Sequence, residues 1–191
     1  MSRRPVALAF GVAIVAFVIG ALMIVRPPRW VSRPPDPVAA AAAPAPPAPP
    51  GRKIKARLFY VSDDGTRLTG VERDIAYGEG PLEQAREIIA AQIAPVTEPL
   101  VSAVPPGTTV RALFITEGGD AYVDLSREVT AAHTGGTLDE ILTVYTIVNA
   151  LTANLPAITS VQLLVEGKEV DTLSGHVDLR RPLSKNLAWV Q

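Results

Sequence analysis

The apolar pattern of this chain begins with twenty uncharged positions, VALAFGVAIVAFVIGALMIV over Val6–Val25. At ~1.5 Å rise per residue, a helix of that length measures ~30 Å, the thickness of a bilayer's hydrocarbon core. A secretory h-region is usually ~7–15 residues, so the run reads as an uncleaved transmembrane anchor. A five-residue tail (1–5) precedes it. From Arg26 to Gly51 the pattern disappears, and ten of the chain's eighteen prolines fall in this stretch. Each proline fixes φ and withholds a donor, which predicts a polyproline-type linker over 26–51.

Past Gly51 the pattern alternates between two periods. Ile54, Ala56, Leu58 and Tyr60 alternate with Lys53, Lys55 and Arg57, a half-buried strand. Asp63-Asp64-Gly65 predicts a turn, and Leu68 to Tyr77 a returning strand. Its alternation blurs around Gly70, where a bulge is expected. Gly80-Pro81 opens a helix, with Leu82, Ala85, Ile88, Ile89 and Ile93 on one face, ended by Pro95 and Pro99. Thr109–Thr116 and Ala121–Leu125 flank Glu117-Gly118-Gly119-Asp120, the strongest hairpin signal in the chain. Thr137-Leu138-Asp139-Glu140 fits a capping box, in which Glu140 would reach back to the Thr137 amide. Leu138, Ile141, Leu142, Tyr145, Val148, Leu151 and Leu155 continue as the longest helical stripe outside the anchor. Val161–Val165 is apolar on both sides, as a central strand is. Glu166-Gly167-Lys168 turns, Glu169–Leu173 pairs back, and Arg180–Gln191 reads as loop-like.

The order β-β-α-β-β-α-β-β predicts an α+β fold. Its expected form is a two-layer sandwich with two helices on one face of a mostly antiparallel sheet, preceded by one transmembrane helix. The expected domain is 52–183, with 184–191 as a C-terminal tail.

Charge narrows the function. The net charge of −1 is split unevenly: five arginines and one acid precede Gly51, while thirteen basic and eighteen acidic residues follow it, a balance of −5. A mildly acidic domain does not neutralise phosphates, which argues against nucleic acid. With no cysteine in the sequence, disulfides, thiolate metal sites and an acylated-cysteine anchor are excluded. Arginines flank the anchor almost equally (3 and 4 before; 26, 29 and 33 after), so charge does not orient it. The short tail favours a cytoplasmic N-terminus with the domain outside.

No reactive constellation stands out. His133 precedes a helix start, and His176 lies in LSGHVDL. Ser174, His176 and Asp178 alternate too closely along one segment to converge on a substrate, and there is no G-x-S-x-G elbow. Asp120 and Asp124 flank a strand without metal-site spacing, and no phosphate-binding glycine motif occurs. No enzyme activity, cofactor or metal is expected. The edges of a small open sheet remain as surfaces for pairing with another chain.

The stretch Leu58–Leu183 resembles the GerMN domain, the sporulation and spore germination domain of bacterial envelope proteins. The matching segments are FYVSDDGTRL (59–68), PPGTTVRALFITEGGDAYVDLSREV (105–129), GGTLDEILTVYTIVNALTANLP (135–156) and VQLLVEGKEVDTLSGHVDLRRPL (161–183). Within them the family-motif positions are Gly107 and Thr108, then Tyr122, Val123, Asp124, Leu125 and Ser126. Gly136, Leu142, Val144, Tyr145, Val148 and Leu151 follow, and then Gly167, Leu173, Gly175, His176 and Asp178. The resemblance implies a non-enzymatic module: family members are lipoproteins or membrane-anchored. The spore-forming versions resemble ring-building motifs that assemble between two membranes. This chain carries one such domain where the spore protein has two.

The expected protein is therefore a single-pass protein of the bacterial inner membrane, held through Val6–Val25, with its domain extracytoplasmic. That domain would act on another envelope protein or on a second copy. The alternative is an accessory domain that binds peptidoglycan or another ligand.

Overall fold

The computed structural model describes residues 51–191. The anchor expected at Val6–Val25 and the proline-rich linker up to Pro50 lie outside the described residues. Among the described residues no helix is long and apolar enough to cross a membrane.

The fold is α+β, but its strands form two sheets rather than the single one expected. The first is a hairpin of β1 (Lys53–Val61) and β2 (Leu68–Ala76). Its register is continuous from Lys53 opposite Ala76 to Val61 opposite Leu68, so no bulge occurs at Gly70. A Cβ at Gly70 would stand 2.2 Å from Nε of Arg57, a flexible side chain that could move aside.

The second sheet has the order β3 (Val110–Ile115), β4 (Asp120–Leu125), β5 (Ser160–Val165) and β6 (Lys168–Glu169), with β7 (Leu183–Ser184) also paired to β5. β4 and β5 run parallel, an exception to the expected antiparallel pairing. The connection explains it. Between them lie a one-turn helix α2 (Glu128–Ala131) and the long helix α3 (Thr137–Asn154), and a helical crossover returns the chain in the same direction. β5 is the central strand expected from its two-sided apolar pattern, since β6 and β7 occupy the edge that β4 leaves.

α1 (Gly80–Ile93), with Pro81 in its first turn, packs on β1, β2, β3 and α3. α3 packs in turn on β1 and β5. Its buried face differs from the predicted stripe. Val144, Ile147, Ala150 and Leu151 are fully buried, while Leu138, Ile141, Tyr145 and Leu155 are partly exposed. A helix enclosed by another helix, two sheets and the C-terminal segment buries more than one stripe. Leu113, Val123 and Leu163 form one buried row across the second sheet and complete the core.

Three helix amides explain why the sheets stay apart. Gln92 of α1 accepts from the Phe59 N–H (2.8 Å) and donates to its carbonyl (2.7 Å). Asn154 of α3 does the same for Arg57, at 2.8 Å each way. With Val61 N–H on the Val101 carbonyl (2.9 Å), the outer edge of β1 is closed by side chains and a loop where a neighbouring strand would bond. Gln84 closes the far end, accepting from Gly78 N–H and donating to the Ala76 carbonyl.

Asn149, fully buried, grips both backbone groups of Asn186. The segment expected to be loop-like is therefore docked: β7 joins the second sheet, a 3-10 turn follows at Leu187–Trp189, and Val190 bridges to Leu68 of the first.

Candidate functional site

The motif residues fall into three groups. The first holds one end of the second sheet. Val123 and Leu125 of β4 point into the core. Asp124, between them and nearly buried, accepts from the Gly167 N–H at 2.7 Å. Gly167 has φ +75°, and Glu166 before it φ +53°. Two successive positive values make the tight turn between β5 and β6, and a glycine takes the second without strain. A bulge between Val110 and Ala112 adds a residue to β3 and turns Arg111 toward Asp124 (3.7 Å) and Glu166 (3.6 Å). Ser126 Oγ accepts from Thr109 N–H (3.0 Å), and the Thr109 carbonyl accepts from Ser126 N–H (2.9 Å). Thr108 Oγ1 donates to the Pro105 carbonyl, closing the Pro105-Pro106-Gly107 turn. Tyr122 lies across from Phe114 on the sheet face away from the helices; Phe114 is 60% exposed.

The second group surrounds Glu140. The expected capping box does not form: Gly136 is the N-cap, its amide neighbours receive no side-chain cap, and Glu140 turns inward. Its carboxylate is fully buried. Oε1 accepts from Leu173 N–H (2.8 Å) and Ser174 N–H (3.0 Å), and Oε2 from His176 N–H (2.8 Å), with His176 Nδ1 at 3.1 Å. Burial by itself pushes the Glu140 carboxyl up. The backbone N–H groups of Ser174, His176, Leu173 and Val177 outweigh it and hold the group below its ordinary value. Gly175 shapes the loop, and its N–H reaches Thr172 Oγ1 at 2.9 Å. Asp178 is held by Arg180 at 2.9 and 2.7 Å, which drives its carboxyl far down. Ser174, His176 and Asp178 thus make no relay: His176 belongs to Glu140 and Asp178 to Arg180.

The third group, Leu142, Val144, Tyr145, Val148 and Leu151, is on α3, where all but the half-buried Tyr145 are core residues. Leu142 also floors a cleft of about 330 Å³ beside the start of α3. The other walls come from the β1–β2 turn and the 101–106 loop, with Ser102, His133, Thr134, Asp139 and Thr143 as its polar side chains. Thr143 Oγ1 donates to the Ala103 carbonyl (2.6 Å) and so accepts from His133 Nε2 at 3.2 Å. His133 Nδ1 accepts from Gly135 N–H at 2.9 Å. The two bonds engage both ring nitrogens and fix the ring. Thr134 Oγ1 steadies Asp139 Oδ2 at 3.1 Å. Among the described residues no three His, Asp or Glu side chains are grouped to hold a metal.

Sequence reading gave Glu140 a capping role in place of its loop contact, and missed Arg111 and the cleft. Glu140 carried one signal: it lies one helical turn before Val144 and two before Ile147, a core-facing position for a carboxylate. Arg111 and the cleft depend on a bulge and on loops distant in sequence, and left no local trace.

The sporulation and spore germination family, Germane, matches residues 57–171. A search of curated proteins finds no match. Among solved structures, a candidate lipoprotein from Clostridium perfringens is 23% identical, with a TM-score of 0.50 over 70% of this chain and 88% of that one. The tandem GerMN domains of the sporulation protein GerM from Bacillus subtilis are 20% identical, with a TM-score of 0.52 over 71% of this chain. The chain spans 46% of that tandem protein, about one of its two domains. At such identities the likeness is one of fold. With the family model covering more than half of the chain, from β1 to just past β6, this protein belongs to the Germane family of sporulation and spore germination domains.

Proposed function

We propose that this chain is a membrane-anchored envelope protein whose domain works by binding another envelope protein or a second copy of itself, without turnover. The observation that carries the reading is Phe114. It is 60% exposed on edge strand β3, beside Tyr122, on a sheet face that no helix among the described residues covers. A large aromatic left in water at a strand edge suits a partner surface. The motif's polar groups support the same reading, because Asp124, Ser126 and Asp178 are spent on holding backbone and neighbouring side chains. Val6–Val25 supplies an anchor in the inner membrane, and the proline-rich segment 26–51 a spacer that carries the domain away from the lipid on the outer side.

The test uses the full chain in intact cells, with a photo-crosslinking amino acid in place of Phe114. The expected result is a membrane-bound protein released by detergent but not by salt, and a discrete crosslinked adduct. A full-length protein recovered free in soluble extracts, or one that crosslinks to nothing, overturns the proposal.

The cleft beside α3 favours a second reading, an accessory domain that takes a ligand or the cell wall. Co-sedimentation with isolated peptidoglycan separates it from the first.

A further inference from the structure

The cleft has a consistent chemistry. Its walls are aliphatic: Val61, Val101, Ala103, Pro106 and Leu142. Val101 stands at its rim, 55% exposed, a large apolar side chain held in water. Its volume of about 330 Å³ is at the small end of the ~300–1,000 Å³ typical of ligand sites.

The lining includes one formal charge, the carboxylate of Asp139, and no lysine or arginine. Among the described residues Asp139 forms no ion pair, whereas Asp124 and Asp178 each have an arginine. The neighbouring turn adds to the negative potential. Gly65, which lines the cleft, follows Asp63 and Asp64, and hydrogen bonds from Ser62 and Thr66 keep Asp64 ionised. The positive end of the α3 dipole, which would otherwise attract an anion, is answered by Asp139 and Glu140 in its first turn. Both ring nitrogens of His133 are already engaged, by Gly135 N–H and Thr143 Oγ1.

We infer that the cleft receives a lysine side chain from a partner protein, its aliphatic stem along Val101 and Leu142 and its ammonium at Asp139. This rests on the binding role proposed above and gives that role a chemistry. An aliphatic stem ending in a cation matches apolar walls with a carboxylate at one point. Lysine is favoured over arginine by the geometry of the acceptor. Thr134 already donates to Oδ2, so Oδ1 is the oxygen of Asp139 with no hydrogen bond among the described residues. That suits a compact point charge, whereas a guanidinium fork is strongest with two.

The test is a titration of the isotope-labelled full chain in detergent micelles, following the amide signals of Gly135, Leu142 and Thr143. The probes are the capped peptides Ala-Lys-Ala, Ala-Arg-Ala, Ala-norleucine-Ala and Ala-(Nε-acetyl-lysine)-Ala. The expected result is saturable binding strongest for the lysine peptide and about fivefold weaker for the two uncharged ones, the range of a partly exposed ion pair. D139N, a change at an exposed side chain, should erase that difference. D139K should reverse it and favour Ala-Glu-Ala. Equal affinity for lysine and norleucine, no saturable shift, or a preference that survives D139N overturns the assignment. If the titration fails while the Phe114 adduct persists, the cleft assignment falls and the binding role stands. Loss of the adduct with lysine selectivity intact has the opposite meaning.

Discussion

Replacing Glu140 by alanine tests how the Leu173–His176 loop is held. The substitution removes one carboxylate and leaves three backbone N–H groups, of Leu173, Ser174 and His176, without their acceptor. A buried donor without a partner costs about 1–3 kcal/mol. Leu173 is 7% exposed, so its N–H stays dry, while Ser174 and His176 lie nearer solvent and recover part of the loss in water. The expected destabilisation of Glu140→Ala is ~3–5 kcal/mol, a large share of the ~5–15 kcal/mol of a typical domain. In urea, with a slope of roughly 2 kcal/mol per molar, the midpoint falls by about 2 M with the slope unchanged. Glu140→Gln keeps an acceptor for two N–H groups but turns a donor toward the third, and should cost about 2 kcal/mol.

The pH dependence follows from the same bonds. Glu140 ionises in the folded chain below its ordinary value of 4.5, so its contribution is complete above that pH and drains away as pH falls through the folded value. The gap between the wild-type chain and Glu140→Gln should hold constant at neutral pH and narrow below about 4.5. A Glu140→Ala protein within about 1 kcal/mol of wild type, or a gap that widens in acid, refutes the reasoning.

Three further outcomes are expected. Gln92→Ala opens the β1 edge at Phe59, leaving two buried backbone groups unpaired, and should cost ~2–4 kcal/mol by urea unfolding. Gly78→Ala sets a Cβ 2.4 Å from the backbone of Glu83 and Gln84, and should cost about 2–3 kcal/mol, read as a lower thermal midpoint. Thr146→Val removes a buried hydroxyl that has no partner among the described residues. Calorimetry should find this variant more stable, by about 1 kcal/mol.

What the sequence determined by itself was local. Alternation at Ile54–Tyr60 and Val110–Leu125, helical spacing at Leu82–Ile93 and turn residues at Gly65 and Gly167 each describe one element and its immediate neighbours. Those elements stand within a residue or two of where the pattern put them. Gly107, Gly136, Gly167 and Gly175, quoted as motif positions, all have positive φ, a backbone requirement written in the residue itself. The tertiary structure alone decided how the pieces join. Whether Glu140 caps its own helix or crosses to a loop more than thirty residues away depends on which donors burial brings near, and local spacing carries no trace of that. The split into two sheets has the same origin. Asn154 meets Arg57 across 97 positions and Gln92 meets Phe59 across 33, so polar residues that read as surface positions on a helix become the closing edge of a strand. Periodicity reports which side of an element is apolar. The partner of a buried polar group is set by three-dimensional proximity, because an amide or carboxylate removed from water takes whatever backbone group the packed fold presents to it.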